Sequence, residues 1–314
     1  MARQYLKNEQ LNSQLAKEGY VVVPLLNEVE VNDLLNVFNA AHPDEIVPFY
    51  ATAHHESPEF RNQMNQAIIR AISNQVDEVF NDCRLLGGSF IVKTKSDHSL
   101  LQPHQDWNIV DERQFRSFNI WIPLVDLTEM NGAIEILPKS HDWVRGIRHS
   151  SIPCAYQQVH HLVWENMKPL YMKAGEALIY DHSLLHASKA NNSDSRRIAC
   201  ASGVIPNEAQ MFFYWNNNGT IERFESNPEY FMAENIFTEP VGLQKDDSFE
   251  YDFPSVDEVR FYELAGLEMP VVEPKETETP VESVQSSPDK PPFWKVYTPL
   301  NILKEIHYRL TSGS

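Results

Sequence analysis

Ala174-Gly175-Glu176-Ala177-Leu178-Ile179-Tyr180-Asp181-His182-Ser183-Leu184-Leu185-His186-Ala187-Ser188 reads as a turn, an apolar strand and a histidine, with Arg196-Arg197-Ile198-Ala199-Cys200-Ala201 close behind. A short apolar run bounded by turn residues signals a strand. Arg197 lies 11 residues beyond His186, enough for a turn through Asn191-Asn192-Ser193 and re-entry on a neighbouring strand. Side chains alternate along a strand, so if Arg197 faces inward, Ala199 and Ala201 do too and leave room for a ligand. A guanidinium there can grip the far end of a dicarboxylate with two parallel hydrogen bonds, which a lysine cannot. Arg196 is the alternative anchor.

Working outward, the same texture recurs. Gly88–Thr94, Arg116–Leu124, Ala133–Leu137, Glu176–Tyr180 and Arg197–Val204 are short apolar strands separated by turn signals, and Asn131-Gly132 is a hairpin-turn dipeptide. Many short strands at even spacing predict a mainly β fold, a double-sheet jelly roll (a cupin-like double-stranded β-helix). Helices flank it. Residues from about Asn8 to Ala41 read as helix, strand, helix, and Phe60 to Phe80 as a third helix with Met64, Ile68, Ile69, Ile72 and Val76 near one face.

The 314 residues carry a net charge of −18 with 42% hydrophobic content, an ordinary globular composition with a strongly acidic surface. Such a surface repels phosphate backbones and anionic lipid, which argues against nucleic acid or a membrane face as partner. Cys83, Cys154 and Cys200 are scattered, so neither a disulfide framework nor a zinc ribbon is indicated. No stretch reaches the roughly 20 apolar residues of a membrane span, and Met1 to Gly19 lacks the apolar run of a signal peptide. The expected compartment is reducing and cytoplasmic.

Leu101-Gln102-Pro103-His104-Gln105-Asp106-Trp107 contains His-x-Asp. On a strand, residues two apart point the same way, placing an imidazole and a carboxylate side by side on a metal. A second histidine from a distant strand completes the two-His-one-carboxylate face of Fe(II) oxygenases, with positions left for co-substrate and dioxygen. His186 and His182 both compete for that place.

These segments, taken in order, resemble the phytanoyl-CoA dioxygenase family of 2-oxoglutarate oxygenases. The likeness runs from about Gln10 to Pro206 through Glu18-Gly19-Tyr20-Val21-Val22-Val23-Pro24, Pro103-His104-Gln105-Asp106, Asn119-Ile120-Trp121-Ile122-Pro123-Leu124, Asn131 to His141, His186-Ala187-Ser188 and Arg196-Arg197. It implies that His104, Asp106 and His186 hold Fe(II) and that Arg197 anchors 2-oxoglutarate. Ser188 would assist that arginine and Trp121 would flank the co-substrate. His182 lacks the Ala-Ser that follows His186, and His141 corresponds to a structural turn histidine. Lys139 stands where the family has glycine. Lys93 either reaches the co-substrate or is a solvated strand lysine.

The implied reaction uses dioxygen to hydroxylate a small-molecule C–H bond, releasing succinate and CO2. Asp106 matters because related halogenases lack the carboxylate; its presence favours hydroxylation, desaturation or ring formation. The alternative is a non-catalytic cupin-like protein that binds metal or 2-oxoglutarate. The aromatic segments Val47–His55 and Met211–Trp215 read as loops that cover the site, and Arg145 and Arg148 as contacts for an anionic substrate; the alternative for each is local packing or a solvated face. The oxygenase domain is expected over residues 1–267. A disordered Pro/Glu-rich linker follows over 268–293, then a C-terminal amphipathic helix over 294–314 that docks on its own domain or a partner.

Overall fold

A computed structural model of the chain describes residues 3–41, 47–234 and 236–270. The chain divides into two compact units, Met1–Asp257 and Glu258–Ser314. In the first, α1 (Glu9–Glu18) starts where the Asn8 side chain accepts from the Gln10 and Leu11 amides and stops at Gly19 with φ +82°. β1 (Tyr20–Pro24), α2 (Glu28–Ala41) and β2 (Phe49–Ala51) follow. α3 (Pro58–Val79), capped by Ser57 and opened by Pro58, buries Met64, Ile68, Ile72 and Val76, the stripe expected from the sequence. Ile69 is only partly buried.

The strands come next: β3 (Cys83–Lys93), β4 (Leu101–His104), β5 (Phe118–Pro123) and β6 (Ile134–Ile136). After α4 (His160–Asn166) come β7 (Lys168–Pro169), β8 (Glu176–Asp181), β9 (His186–Ser188) and β10 (Arg197–Pro206). One sheet has the order β1-β8-β5-β10-β3-β2, the other β4-β9-β6-β7. All of their pairings are antiparallel. Alternation divides the larger sheet cleanly. Phe118, Ile120, Ile122, Ile179, Ile198 and Cys200 face the cluster shared with the helices. Trp121, Leu178, Tyr180, Ala199 and Ala201 pack with Ile134 and Ile136 of the smaller sheet. Two sheets enclosing one core with helices outside make the predicted jelly roll.

Three local expectations are corrected. Asn131-Gly132 is not a hairpin turn, because β5 and β6 lie in different sheets. It is the corner where the chain crosses between them: the Asn131 side chain bonds Thr128 N and Asp126 O, and Gly132, at φ +72°, comes so close to Lys189 O that a Cβ would sit 2.6 Å away. Met211–Trp215 is not a loop but the start of β11 (Met211–Asn217), which pairs with β12 (Thr220–Ser226). After α5 (Pro228–Ala233), β13 (Lys245–Glu250) completes this third sheet. Its strands carry aromatics on both faces, a pattern that obscures simple alternation. Lastly, β4 ends at His104, so Asp106 stands beyond the strand and alternation does not place it.

Lys139 takes φ +68° at the start of a short turn, which accounts for the family's glycine there. The described part of the second unit holds α6 (Glu258–Ala265), with Arg260 and Glu263 paired one turn apart. The expected helix at 294–314, and the linker beyond residue 270, lie outside the described residues. Among the described residues no helix is long and apolar enough to cross a membrane.

Candidate metal centre and co-substrate pocket

His104 at the end of β4 and His186 at the start of β9 are direct cross-strand partners, with rings 4.2 Å apart between centroids. Asp106 lies beside them. Its Oδ1 is 4.0 Å from His104 Nε2 and 3.7 Å from His186 Nε2. One ligand atom from each of the three lies within 4.8 Å of the others, and this is the metal-ligand cluster found among the described residues. Of the two competing histidines it is His186, not His182, that joins it.

The ring orientations suit a metal. His104 Nδ1 is 2.8 Å from Gln102 O and His186 Nδ1 is 3.0 Å from Leu184 O. A carbonyl only accepts, so each Nδ1 carries a proton, and in the neutral ring this leaves the Nε2 lone pair to face the metal site. Burial, reinforced by His186, pushes the His104 imidazole down to about 4. Burial also works to raise the Asp106 carboxyl, but His186, His182, His104 and the Asn119 hydrogen bond outweigh it and hold it below the usual carboxylate range. Neutral imidazole beside ionised carboxylate is the donor set a divalent metal needs.

On the neighbouring sheet Arg197 and Lys93 are cross-strand partners. Arg197 is 2% exposed, and its Nε and Nη1 have no hydrogen-bond partner. Its guanidinium lies over Trp121, 5.3 Å from the ring centroid, and burial pushes its pKa down to about 9. Orphaned donors on a buried cation are costly unless an anion meets them, so the residues present fit a carboxylate. Lys93 is fully buried, which overturns the solvated reading. Its Nζ donates to Ser188 O (2.9 Å) and Lys189 O (2.7 Å), tying β3 to the end of β9. Arg197, Lys93, Ser188 and Trp121 are thus gathered in one corner. Arg196 points elsewhere, to Asn39 Oδ1 at 3.1 Å.

The model of the phytanoyl-CoA dioxygenase (PhyH) family matches residues 17–199, more than half of the chain. The chain belongs to the phytanoyl-CoA dioxygenase family. It is 28% identical over 114 residues to dioxygenase FUM3 of Gibberella moniliformis (strain M3125 / FGSC 7600), a match covering 34% of this chain and 33% of that protein. The chain therefore spans about a third of the length of that curated relative. Among solved structures, the epimerase SnoN in complex with Fe3+, alpha ketoglutarate and nogalamycin RO superposes with TM-score 0.50 at 18% identity, covering 78% of this chain and 97% of that one. HygX from Streptomyces hygroscopicus with nickel and 2-oxoglutarate bound gives 0.47 at 16% identity, covering 64% and 88%. Likeness to SnoN at this identity concerns the fold.

Within this family fold, other residues surround the centre that sequence reasoning passed over. Tyr180 Oη donates to Asp106 Oδ2 at 3.0 Å and lies 3.3 Å from His186 Nε2. Asn119 Nδ2 donates to the same Oδ2 at 3.2 Å. The available signal was parity: Asn119 shares a strand face with Trp121, and Tyr180 with Leu178. For Arg148 the packing alternative holds, its side chain being largely buried against Glu112. Its guanidinium donates to Asp106 O (2.8 Å), Gly146 O (2.9 Å) and the Glu112 carboxylate (3.0 Å), binding the loop after Asp106 to the 146–149 strap. Arg145 is taken up by Asp142. Trp107 packs tilted against His149 at 4.4 Å, and His149 meets Phe213 edge-to-face at 4.3 Å. Phe237 bridges Trp107 and His54 at 5.4 and 5.1 Å. Both aromatic segments singled out in the sequence thus reach Trp107, the residue next to Asp106, through one intervening ring, Phe237 or His149. His182 and His141 are buried; His141 Nε2 lies 3.2 Å from Ala16 O, the structural place expected of it.

Proposed function

We propose that the chain is an Fe(II)- and 2-oxoglutarate-dependent dioxygenase acting on a small-molecule C–H bond, with His104, Asp106 and His186 holding the metal and Arg197 the distal carboxylate of 2-oxoglutarate. The observation that carries this reading is the conjunction of the triad with Arg197. Two Nε2 lone pairs converge with one carboxylate, and a buried guanidinium with free donors stands in the same jelly roll. A protein that used the metal alone would not need that cation.

Iron with bound 2-oxoglutarate supplies the oxidising chemistry, coupling dioxygen and decarboxylation to succinate with oxidation of a substrate C–H bond. The chain's own residues bind, orient and exclude water. His104 and Asp106 keep 27% and 25% of their side chains accessible while His186 is buried, so the centre is reachable from the His104–Asp106 side. Arg197, with the Trp121 ring under it, orients a carboxylate in a site closed to solvent, where such contacts are strongest. Lys93 fixes the end of β9 at Ser188, two residues beyond His186. Trp107, next to Asp106 and backed by the buried His149 and Phe213, supplies an aromatic surface there, which suits a substrate with an apolar or ring-bearing portion.

Anaerobic titration of 2-oxoglutarate into Fe(II)-loaded protein tests the reading. A saturable visible absorbance band is expected, needing far more co-substrate in Arg197→Ala, since truncating one partner of a buried charge pair costs roughly 2–5 kcal/mol. Absence of the band at saturating 2-oxoglutarate with confirmed iron binding would remove the co-substrate assignment.

A further inference from the structure

We propose that Tyr180, together with Asn119, is a positioning residue for the metal ligand Asp106, committing its carboxylate to offer a single oxygen, Oδ1, beside the two imidazoles. This rests on the reading of Asp106 as a ligand given above.

Asp106 lies past the end of β4, so no strand fixes its side chain, and the terminal torsion of an aspartate is broad and only weakly self-restrained. Its orientation comes from elsewhere. Asn119 and Tyr180 are direct cross-strand partners on β5 and β8. Both stand on the inner face of the larger sheet, and both donate to one oxygen, Oδ2, at 3.2 and 3.0 Å. The other oxygen, Oδ1, is the one turned toward His186 Nε2 and His104 Nε2, at 3.7 and 4.0 Å. A pair of donors on neighbouring strands of one sheet is a rigid fork, and it occupies the lone pairs that a two-oxygen binding mode would use. Carboxylates bind metals through one oxygen or both. Holding Oδ2 away leaves more of the coordination sphere to the co-substrate and dioxygen.

Tyr180 contributes more than packing. Its ring lies 4.8 Å from that of His186, a contact phenylalanine would keep, and the side chain is almost fully buried. The hydroxyl alone reaches Asp106.

The test is a Mn(II) titration of the full chain followed by electron paramagnetic resonance, for wild type, Tyr180→Phe, Asn119→Ala, Asp106→Ala and Tyr180→Phe/Asp106→Ala, with melting temperatures measured alongside. Residues orienting first ligands change metal affinity by roughly 10–100-fold. Tyr180→Phe is expected to weaken Mn(II) by at least about tenfold while melting near wild type, and to add nothing further in the Asp106→Ala background. Asn119→Ala should weaken binding in the same direction, which keeps the test open if one variant folds poorly. Mn(II) affinity of Tyr180→Phe within about twofold of wild type, or an equal loss with Asp106 already removed, overturns the proposal. Wild-type affinity in Asp106→Ala would instead overturn the ligand assignment on which it rests.

Discussion

Replacing Arg197 by methionine should make the protein more stable and unable to respond to 2-oxoglutarate. Burial lowers the Arg197 guanidinium from 12.5 to about 9, and at 1.36 kcal/mol per unit this corresponds to about 5 kcal/mol spent on keeping the charge inside. The sign follows from linkage. A folded value below the unfolded one stabilises only above the unfolded pKa, and that contribution is lost as pH falls through about 9. The full cost is therefore present at pH 7. Methionine would lose the contact with the Trp121 ring, about 1–2 kcal/mol, and would relieve the repulsion that Arg197 exerts on Lys93. The net gain is about 3 kcal/mol, inside the range seen when apolar residues replace buried charges. For a unit of this size that is roughly 6–12 °C in melting temperature. Differential scanning fluorimetry of Mn(II)-loaded wild type and variant, with and without 2-oxoglutarate, reads both halves. Co-substrate at a hundred times its dissociation constant should stabilise wild type by about 2.7 kcal/mol and the variant hardly at all. A variant that melts lower than wild type and still shifts with 2-oxoglutarate would refute the reasoning.

Other consequences are open to simpler checks. Arg148→Met breaks a buried pair with Glu112 and should cost about 3–5 kcal/mol in urea unfolding, most of it recovered in Arg148→Met/Glu112→Met, which leaves no charge stranded. Burial pushes the His149 imidazole down to about 3; stability is full above pH 6.5 and lost as pH falls toward that value, by about 2 kcal/mol at pH 5, and His149→Phe should flatten this slope. Gly175 has φ +87° with a would-be Cβ 2.3 Å from Leu26 O, whereas Gly219 has φ +102° with nothing within 4 Å. Gly175→Ala should therefore cost clearly more than the roughly 1 kcal/mol of backbone strain expected at Gly219→Ala, as measured by their melting temperatures.

The fold was legible because the strands that build the double sheet alternate strictly. Ile198 and Cys200 face the helices while Ala199 and Ala201 face the other sheet, and that inward parity places Arg197 beside Trp121. The third helix was legible through apolar spacing, with Met64, Ile68, Ile72 and Val76 buried along one face, though it starts at Pro58, two residues earlier than read. Asp106 was found by its spacing from His104, though for a reason the structure does not support: the strand stops first, and Tyr180, Asn119 and Arg148 do the placing. Those three come from distant segments and share no local motif, so nothing near Asp106 in the chain foretells them. Lys93 misled because a lysine on a short strand ordinarily reaches solvent, while here the carbonyls of Ser188 and Lys189 receive it. Asn131-Gly132 carried a true turn signal whose partner strands lay in different sheets, a distinction only tertiary structure makes.

The central claim is tested most directly by measuring succinate formed from 2-oxoglutarate when Fe(II)-loaded protein is exposed to air, with and without a pooled metabolite extract, in wild type and Asp106→Ala. The account predicts extract-stimulated succinate in wild type and none in the variant. Equal succinate in both, or none from iron-replete wild type across extracts of varied origin, would contradict it.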